Sequence, residues 1–191
     1  MREISTKEKI LKAARKIFVE QGFAGASISM IAGLAEINHS LIFHHFENKE
    51  KLWLAVKQDI VQEANQQAVI LPSTNLSFEK FLFELINNSI HFYRKNPDII
   101  RMINWQRLES STKKDIGVTL SKDMQNWLDA FKHYQHSGEI NKKLKIEFIV
   151  TLILSIVSSA ALDPNVFISS EKNLKDYIKF STQALLNCFT K

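Results

Sequence analysis

Residues 27–51, SISMIAGLAEINHSLIFHHFENKEK, decide the fold. Ile28, Ile31, Ala32 and Ala35 recur at i, i+3, i+4 and i+7, the spacing of one apolar helix face. Ser27 stands just before them, where its hydroxyl can accept an orphan N–H of the first turn. Ala35-Glu36-Ile37-Asn38 reads as a tight turn with Ile37 as an apolar plug. Asn38 then caps a second short helix, in which Leu41, Ile42, His45 and Phe46 recur at three and four. Helices this short are not stable alone in water. The spacing therefore predicts a helix-turn-helix, whose second helix is the one offered to a DNA major groove.

Working outward, Ile10, Ala14, Ile17 and Phe18 predict a first helix over Thr6–Gln21. Ser5 and Glu8 form its capping box, and Gly22 is its expected C-terminal stop. On the other side, Asn48 is expected to cap a fourth helix reaching about Ala68, with Leu52, Val56, Ile60 and Ala64 at a spacing of four. Leu71-Pro72-Ser73-Thr74-Asn75 is a break rich in turn residues. Beyond it, Ser77 begins a helix that stops at Asn96-Pro97, and Pro97 opens the next one, to about Glu109. A break at Ser110-Ser111-Thr112 precedes a long helix from about Lys113 to Ser137, with Gly117 inside it. Gly138 stops that helix; a hydrophobic helix then runs from about Lys142 to Leu162 and ends at Asp163-Pro164. Ser169 or Ser170 caps the last helix, which runs to about Phe189. The scarcity of Gly (5) and Pro (3) in 191 residues fits long helices better than a many-stranded sheet.

A formal net charge of +5 permits a polyanionic partner without demanding one. Residues 1–52 hold eight Lys/Arg against six Asp/Glu, so the positive charge is only modestly denser there. Cys188 is the single cysteine, which excludes an intrachain disulfide framework and fits a reducing compartment. Its neighbours Leu185, Leu186 and Phe189 suggest a packed, inert thiol. The first residues, MREISTKEKILKAARK, have no apolar core of a signal peptide, and the expected location is cytoplasmic. Phe148–Leu162 is an uncharged run of 15 residues, short of the roughly 20 that a membrane span needs.

The last two helices carry more apolar surface than one neighbour can cover. Ile149, Leu152, Ile153, Ile156, Val157, Ala160 and Ala161 surround most of the first. The second has one stripe at Leu174, Ile178, Leu185 and Phe189 and another at Tyr177, Phe180, Ala184 and Cys188. Either the hydrophobic helix lies at the centre of its own domain, or a second face packs on another copy of the chain. The small residues Thr151, Ser155, Ser158 and Ser159 favour the second. A two-fold dimer would also fix the spacing of two reading heads.

Three runs together resemble the TetR family of bacterial transcriptional regulators. They are Ile10, Leu11, Ala13, Ala14, Phe18, Glu20, Gly22 and Phe23; then Ser27, Ile28, Ile31 and Ala32; then His44, His45, Phe46, Asn48, Lys49, Glu50 and Leu52. The resemblance covers about Lys7–Trp53, and further on it is one of layout. It implies an all-α chain of about nine helices: a three-helix helix-turn-helix DNA-binding domain at 1–48, and a ligand-binding and dimerisation domain at 49–191. It also implies a homodimer on a palindromic DNA operator, with repression as the family default and release by a small molecule.

Three departures from the family pattern have physical meaning. Glu36 stands where Gly is usual, at a backbone position with φ > 0, a cost of about 1 kcal/mol. Phe43 stands where Tyr is frequent and cannot bond a phosphate. The reading helix has no Lys or Arg, so bidentate guanine recognition by Arg is excluded from it. The candidate DNA contacts are Asn38, His39, Ser40, Leu41, Phe43 and His44, with Ser27, the N–H of Ile28 and Lys49 on phosphates. Arg2 and Lys7 would add contacts from the N-terminal arm, and His45 is expected in the core behind the reading helix.

For the ligand, the mixed residues Asn88, His91, Phe92, Met102, Trp105, Gln106, Trp127, Phe131 and Tyr134 suit a largely apolar molecule bearing one or two polar groups. No phosphate loop or nucleophile elbow suggests an enzyme. His133 and His136 at i, i+3 are too few for a metal, so neither metal nor cofactor is expected. The competing reading is a dimeric small-molecule-binding helical protein that has lost specific DNA binding.

Overall fold

Side-chain caps start the helices where the sequence places them. Ser5 accepts from Glu8 N (3.3 Å) while Glu8 Oε2 accepts from Ser5 N (2.8 Å), a complete capping box. Ser27, Asn38, Asn48 and Ser170 each accept a backbone N–H of the turn that follows them. The computed structural model describes residues 5–65, 70–109, 122–161 and 166–190. Among these lie nine α-helices, a 3-10 turn at Val166–Ile168 and no strand. The helices are α1 (Thr6–Gly25), α2 (Ile28–Ala35), α3 (His39–Phe46), α4 (Lys49–Asn65), α5 (Phe78–Lys95), α6 (Pro97–Glu109), α7 (Lys122–His136), α8 (Ile146–Ala161) and α9 (Glu171–Phe189). The expected extension of α4 to Ala68, the break at Ser110–Thr112, the helix start near Lys113 with Gly117, the stop at Asp163-Pro164, and Arg2 lie outside the described residues.

Packing divides the chain into two units. The first joins residues 1–66 to 96–118, so α4 and α6 pack with α1–α3. Its centre is Ile10, Ala14, Phe18, Ile31, Ile42, Leu52 and Trp53, each at most 1% exposed. Trp53 meets Phe18 edge-on at 5.0 Å and Phe23 at 5.7 Å. Gly22 interrupts α1 as expected, in a non-helical conformation with positive φ (φ 72°, ψ −175°), and a short helical stretch resumes beyond it to Gly25. The break fits α6. A Cβ on Gly22 would stand 2.6 Å from the Trp105 ring, and the Trp105 indole donates to Val19 O (3.2 Å). Glu109 accepts from Ala24 N (2.9 Å), and Arg15 joins Glu63 of α4 to Asp98 of α6.

The second unit, residues 67–95 and 119–191, contains α5, α7, α8 and α9. Phe81, Leu82, Leu85, Ile86, Phe131, Tyr134, Ile153, Leu174 and Ile178 fill one continuous core. The α7–α8 connection seals its end: Glu139 accepts from Phe78 N at the start of α5 (3.0 Å), and Asn141 N donates to Phe189 O (2.8 Å). Tyr134 is wholly buried, and its hydroxyl donates to Leu76 O (2.9 Å). Burial, then the nearby charge of Glu139, pushes its phenol up to about 12.

Candidate nucleic-acid interface

The geometry of the α2–α3 turn depends on one residue in the left-handed region. Glu36 has φ 56° and ψ 46°. Its N–H returns to Ala32 O and Gly33 O, and Ile37 N reaches Ala32 O (3.1 Å), which satisfies the last carbonyls of α2. Ile37 is half-buried beneath the turn. The chain leaves α3 through a second such residue, Glu47 (φ 62°, ψ −47°), with Asn48 N bonded to Phe46 O at 2.6 Å. This γ-turn with positive φ is rare and strained for a non-Gly residue. Lys51 pairs with the Glu47 carboxylate.

These two turns hold α3 so that only Ile42 and Phe46 point inward. His39, Ser40, Leu41, Phe43, His44 and His45 are all exposed. The expected DNA contacts on α3 are therefore all exposed, with Asn38 exposed at its start. His45 is a correction: it is exposed, in edge contact with His44 at 5.3 Å, and not in the core. The buried face of α3 is the i, i+4 pair Ile42–Phe46, and His45 falls about 100° round the helix from Phe46. Ser27 and Ile28 are half-buried at the start of α2, and the N–H of Ile28 is one of the orphan donors of a helix N-terminus. Lys49 is also half-buried, and its ammonium donates to Phe23 O (2.9 Å) and Ala26 O (3.0 Å) and lies 4.3 Å from the Phe23 ring centroid. Two of its three hydrogens thus hold the α1–α2 connection. Met30 and Leu34 on α2, which sequence reasoning passed over, are 38% and 44% exposed.

The residues expected around a ligand divide between the units. Asn88, His91, Phe92, Trp127 and Phe131 belong to the second; Met102, Trp105 and Gln106 belong to the first. Phe131 is fully buried, Phe92, Met102 and Trp127 nearly so, and Asn88, His91, Trp105 and Gln106 are half-buried. Gln106 accepts from Lys57 (2.6 Å), whose ammonium pKa is lowered by burial. Ser89, beside Asn88, is fully buried with its hydroxyl unpartnered among the described residues. A surface hollow of about 470 Å³ is lined by Ser77, Lys80, Phe83, Lys179 and Thr182, outside the expected set. A smaller one of about 250 Å³ includes Trp105, with Val19, Arg101 and Leu108. His133 and His136 are exposed. Cys188 is a second correction: its thiol is exposed and not packed.

A short helix held against α2 and α4, with its outer face exposed, has the arrangement of a helix-turn-helix. Residues 10–56 match the profile described as bacterial regulatory proteins, tetR family, and residues 82–180 match the tetracyclin repressor-like C-terminal domain. The second match alone takes in more than half of the chain, and the chain belongs to the TetR family. The HTH-type transcriptional repressor NicS of Pseudomonas putida is 33% identical over 103 residues, 54% of this chain and 49% of NicS. The chain thus spans about half the length of such relatives. The HTH-type transcriptional regulator QacR of Staphylococcus aureus is 24% identical over 98% of this chain and all of QacR. The structure of AibR in complex with isovaleryl coenzyme A and operator DNA has a TM-score of 0.66 at 14% identity, covering 95% of this chain and 98% of AibR. Among the described residues no helix is long and apolar enough to cross a membrane.

Proposed function

We propose that this chain is a cytoplasmic transcriptional repressor that binds a palindromic operator as a homodimer and is released by a small, largely apolar molecule. The observation that carries the reading is α3: two side chains anchor it and six face outward. The reading surface comprises Asn38, His39, Ser40, Leu41, Phe43 and His44, now joined by His45. Ser27 and Ile28 present the start of α2 to a phosphate. Lys49 has one hydrogen left for that purpose and otherwise positions the α1–α2 connection.

The dimer forms through α8 and α9. Phe148 (68%), Leu152 (43%) and Phe180 (71%) are exposed on the isolated chain. Thr151 and Ser155 between them turn their hydroxyls back to carbonyls four residues earlier, Glu147 O and Thr151 O. That leaves a surface of apolar and small groups against which a partner helix can pack closely. The ligand is proposed to sit in the second unit, at Asn88, His91, Phe92, Trp127 and Phe131. AibR is found in complex with isovaleryl coenzyme A and operator DNA; a small molecule and operator DNA are likewise proposed as the partners of this chain.

Selection of genomic fragments by the purified chain, followed by gel shift at two salt concentrations, tests the reading. Expected is enrichment of an inverted repeat, bound in a salt-sensitive way, and released by at least one compound in a screen of apolar metabolites. A dimer that enriches no fragment would instead support the reading in which specific DNA binding has been lost.

A further inference from the structure

We propose that α3 distinguishes its operator mainly by apolar contact between Leu41 and Phe43 and the 5-methyl groups of thymines in the major groove. This rests on the reading of α3 as the major-groove helix and adds the base feature that it recognises.

The chemistry on the helix narrows the choice. Of the six exposed side chains on α3, one is a hydroxyl, three are imidazoles and two are apolar. Arg or Lys on guanine and Asn or Gln on adenine are the strong bidentate contacts, and α3 has none of these residues. Asn38, at its start, already uses its side-chain oxygen to accept from Ser40 N (3.1 Å). Nor are the two nearest lysines in sequence uncommitted: Lys49 holds Phe23 O and Ala26 O, and Lys51 pairs with Glu47.

Placement narrows it further. With about 100° between successive residues, Ile42 and Phe46 mark the inward direction and Ser40 and His44 the crown. Leu41 and Phe43 fall on opposite shoulders of the helix, 38% and 48% exposed. Six large apolar side chains are exposed among the described residues of the first unit, and four of them, Met30, Leu34, Leu41 and Phe43, lie on α2 and α3. Apolar surface concentrated on a reading head gains most from burial against an apolar group, where no polar group is desolvated. Thymine is the one base that presents such a group in the major groove.

The test uses the full chain and its selected operator. Each thymine of a half-site is replaced in turn by deoxyuridine, which lacks only the methyl, and Kd is measured at fixed salt and pH. Expected is a loss of about fourfold per contacted methyl at one or more thymines. That loss should disappear at its own position in Leu41→Ala or Phe43→Ala, because side chain and methyl then have no contact left to lose. Both residues are exposed, so both variants should fold, with circular dichroism as the control; should one not fold, the deoxyuridine series on the native chain decides. Specific binding that is unchanged by deoxyuridine at every position overturns this proposal while leaving the DNA-binding reading intact. If no fragment is enriched at all, both fall together.

Discussion

Glu36 shows how one residue can be legible in type and costly in place. Its φ of 56° is forced by the need to turn α2 into α3 within three residues, and its Cβ makes that conformation unfavourable. Glu36→Gly should therefore raise unfolding free energy by about 1 kcal/mol, read as a higher urea midpoint with an unchanged slope. Operator affinity should not change, because α3 keeps its surface. An equal or lower midpoint would mean that the carboxylate side chain contributes stability that the backbone geometry does not reveal. Lys49 gives the complementary case, a charge that looks available for phosphate yet is engaged inside the chain. Lys49→Met leaves the carbonyls of Phe23 and Ala26 without their donor and should cost about 1–3 kcal/mol of stability. The slope of log K against log salt should change by less than the unit expected of a lost phosphate contact.

Among elements, α6 is the one whose role was least visible in the chain. Its aromatic and amide residues read as a ligand surface because periodicity shows only that a face is covered, not by what. The structure uses Trp105 against the backbone of α1, 86 residues away, where its indole holds Val19 O and its ring fills the space that a Cβ on Gly22 would need. Gly22→Ala should thus lose roughly 3 kcal/mol, by overpacking and by left-handed strain. In the background of Trp105→Ala the same change should cost clearly less, since only the strain and the approach to the flexible Glu109 carboxylate (2.8 Å) remain; equal losses would show that the two sites are independent. Local signals fared better. The caps at Ser5, Ser27, Asn38 and Asn48 were legible because a cap is a contact over two or three residues. So was the all-helical layout, because each core stripe repeats within its own helix. The surroundings of His45 and Cys188 were not, since a helix wheel gives two apolar or polar flanks and leaves open which one a neighbour covers. For the candidate ligand residues the same limit applies with greater force. Their partners are distant in sequence, and aromatic residues serve cores and pockets alike.

At the scale of the whole molecule, two outward apolar faces need different explanations. The one on α2 and α3 suits DNA; the one on α8 and α9 suits the second copy proposed above. On α9 the exposed Phe180 shares a stripe with Ala184 and with Cys188, whose thiol is exposed in the single chain. If that stripe is the dimer seam, the thiol is covered in the dimer and open in the monomer. Phe180→Glu places a charge in the seam, where burying it without a partner is costly. The isolated chain should be little affected, because Phe180 is 71% exposed and makes no core contact there. Sedimentation at micromolar concentration should then show a monomer with native helical content. Its Cys188 should react faster with a thiol reagent than that of the unsubstituted chain. Operator affinity should fall steeply, because two half-sites bound by one rigid dimer become two independent and weaker encounters. A Phe180→Glu chain that still sediments as a dimer and shields its thiol would move the seam away from this stripe.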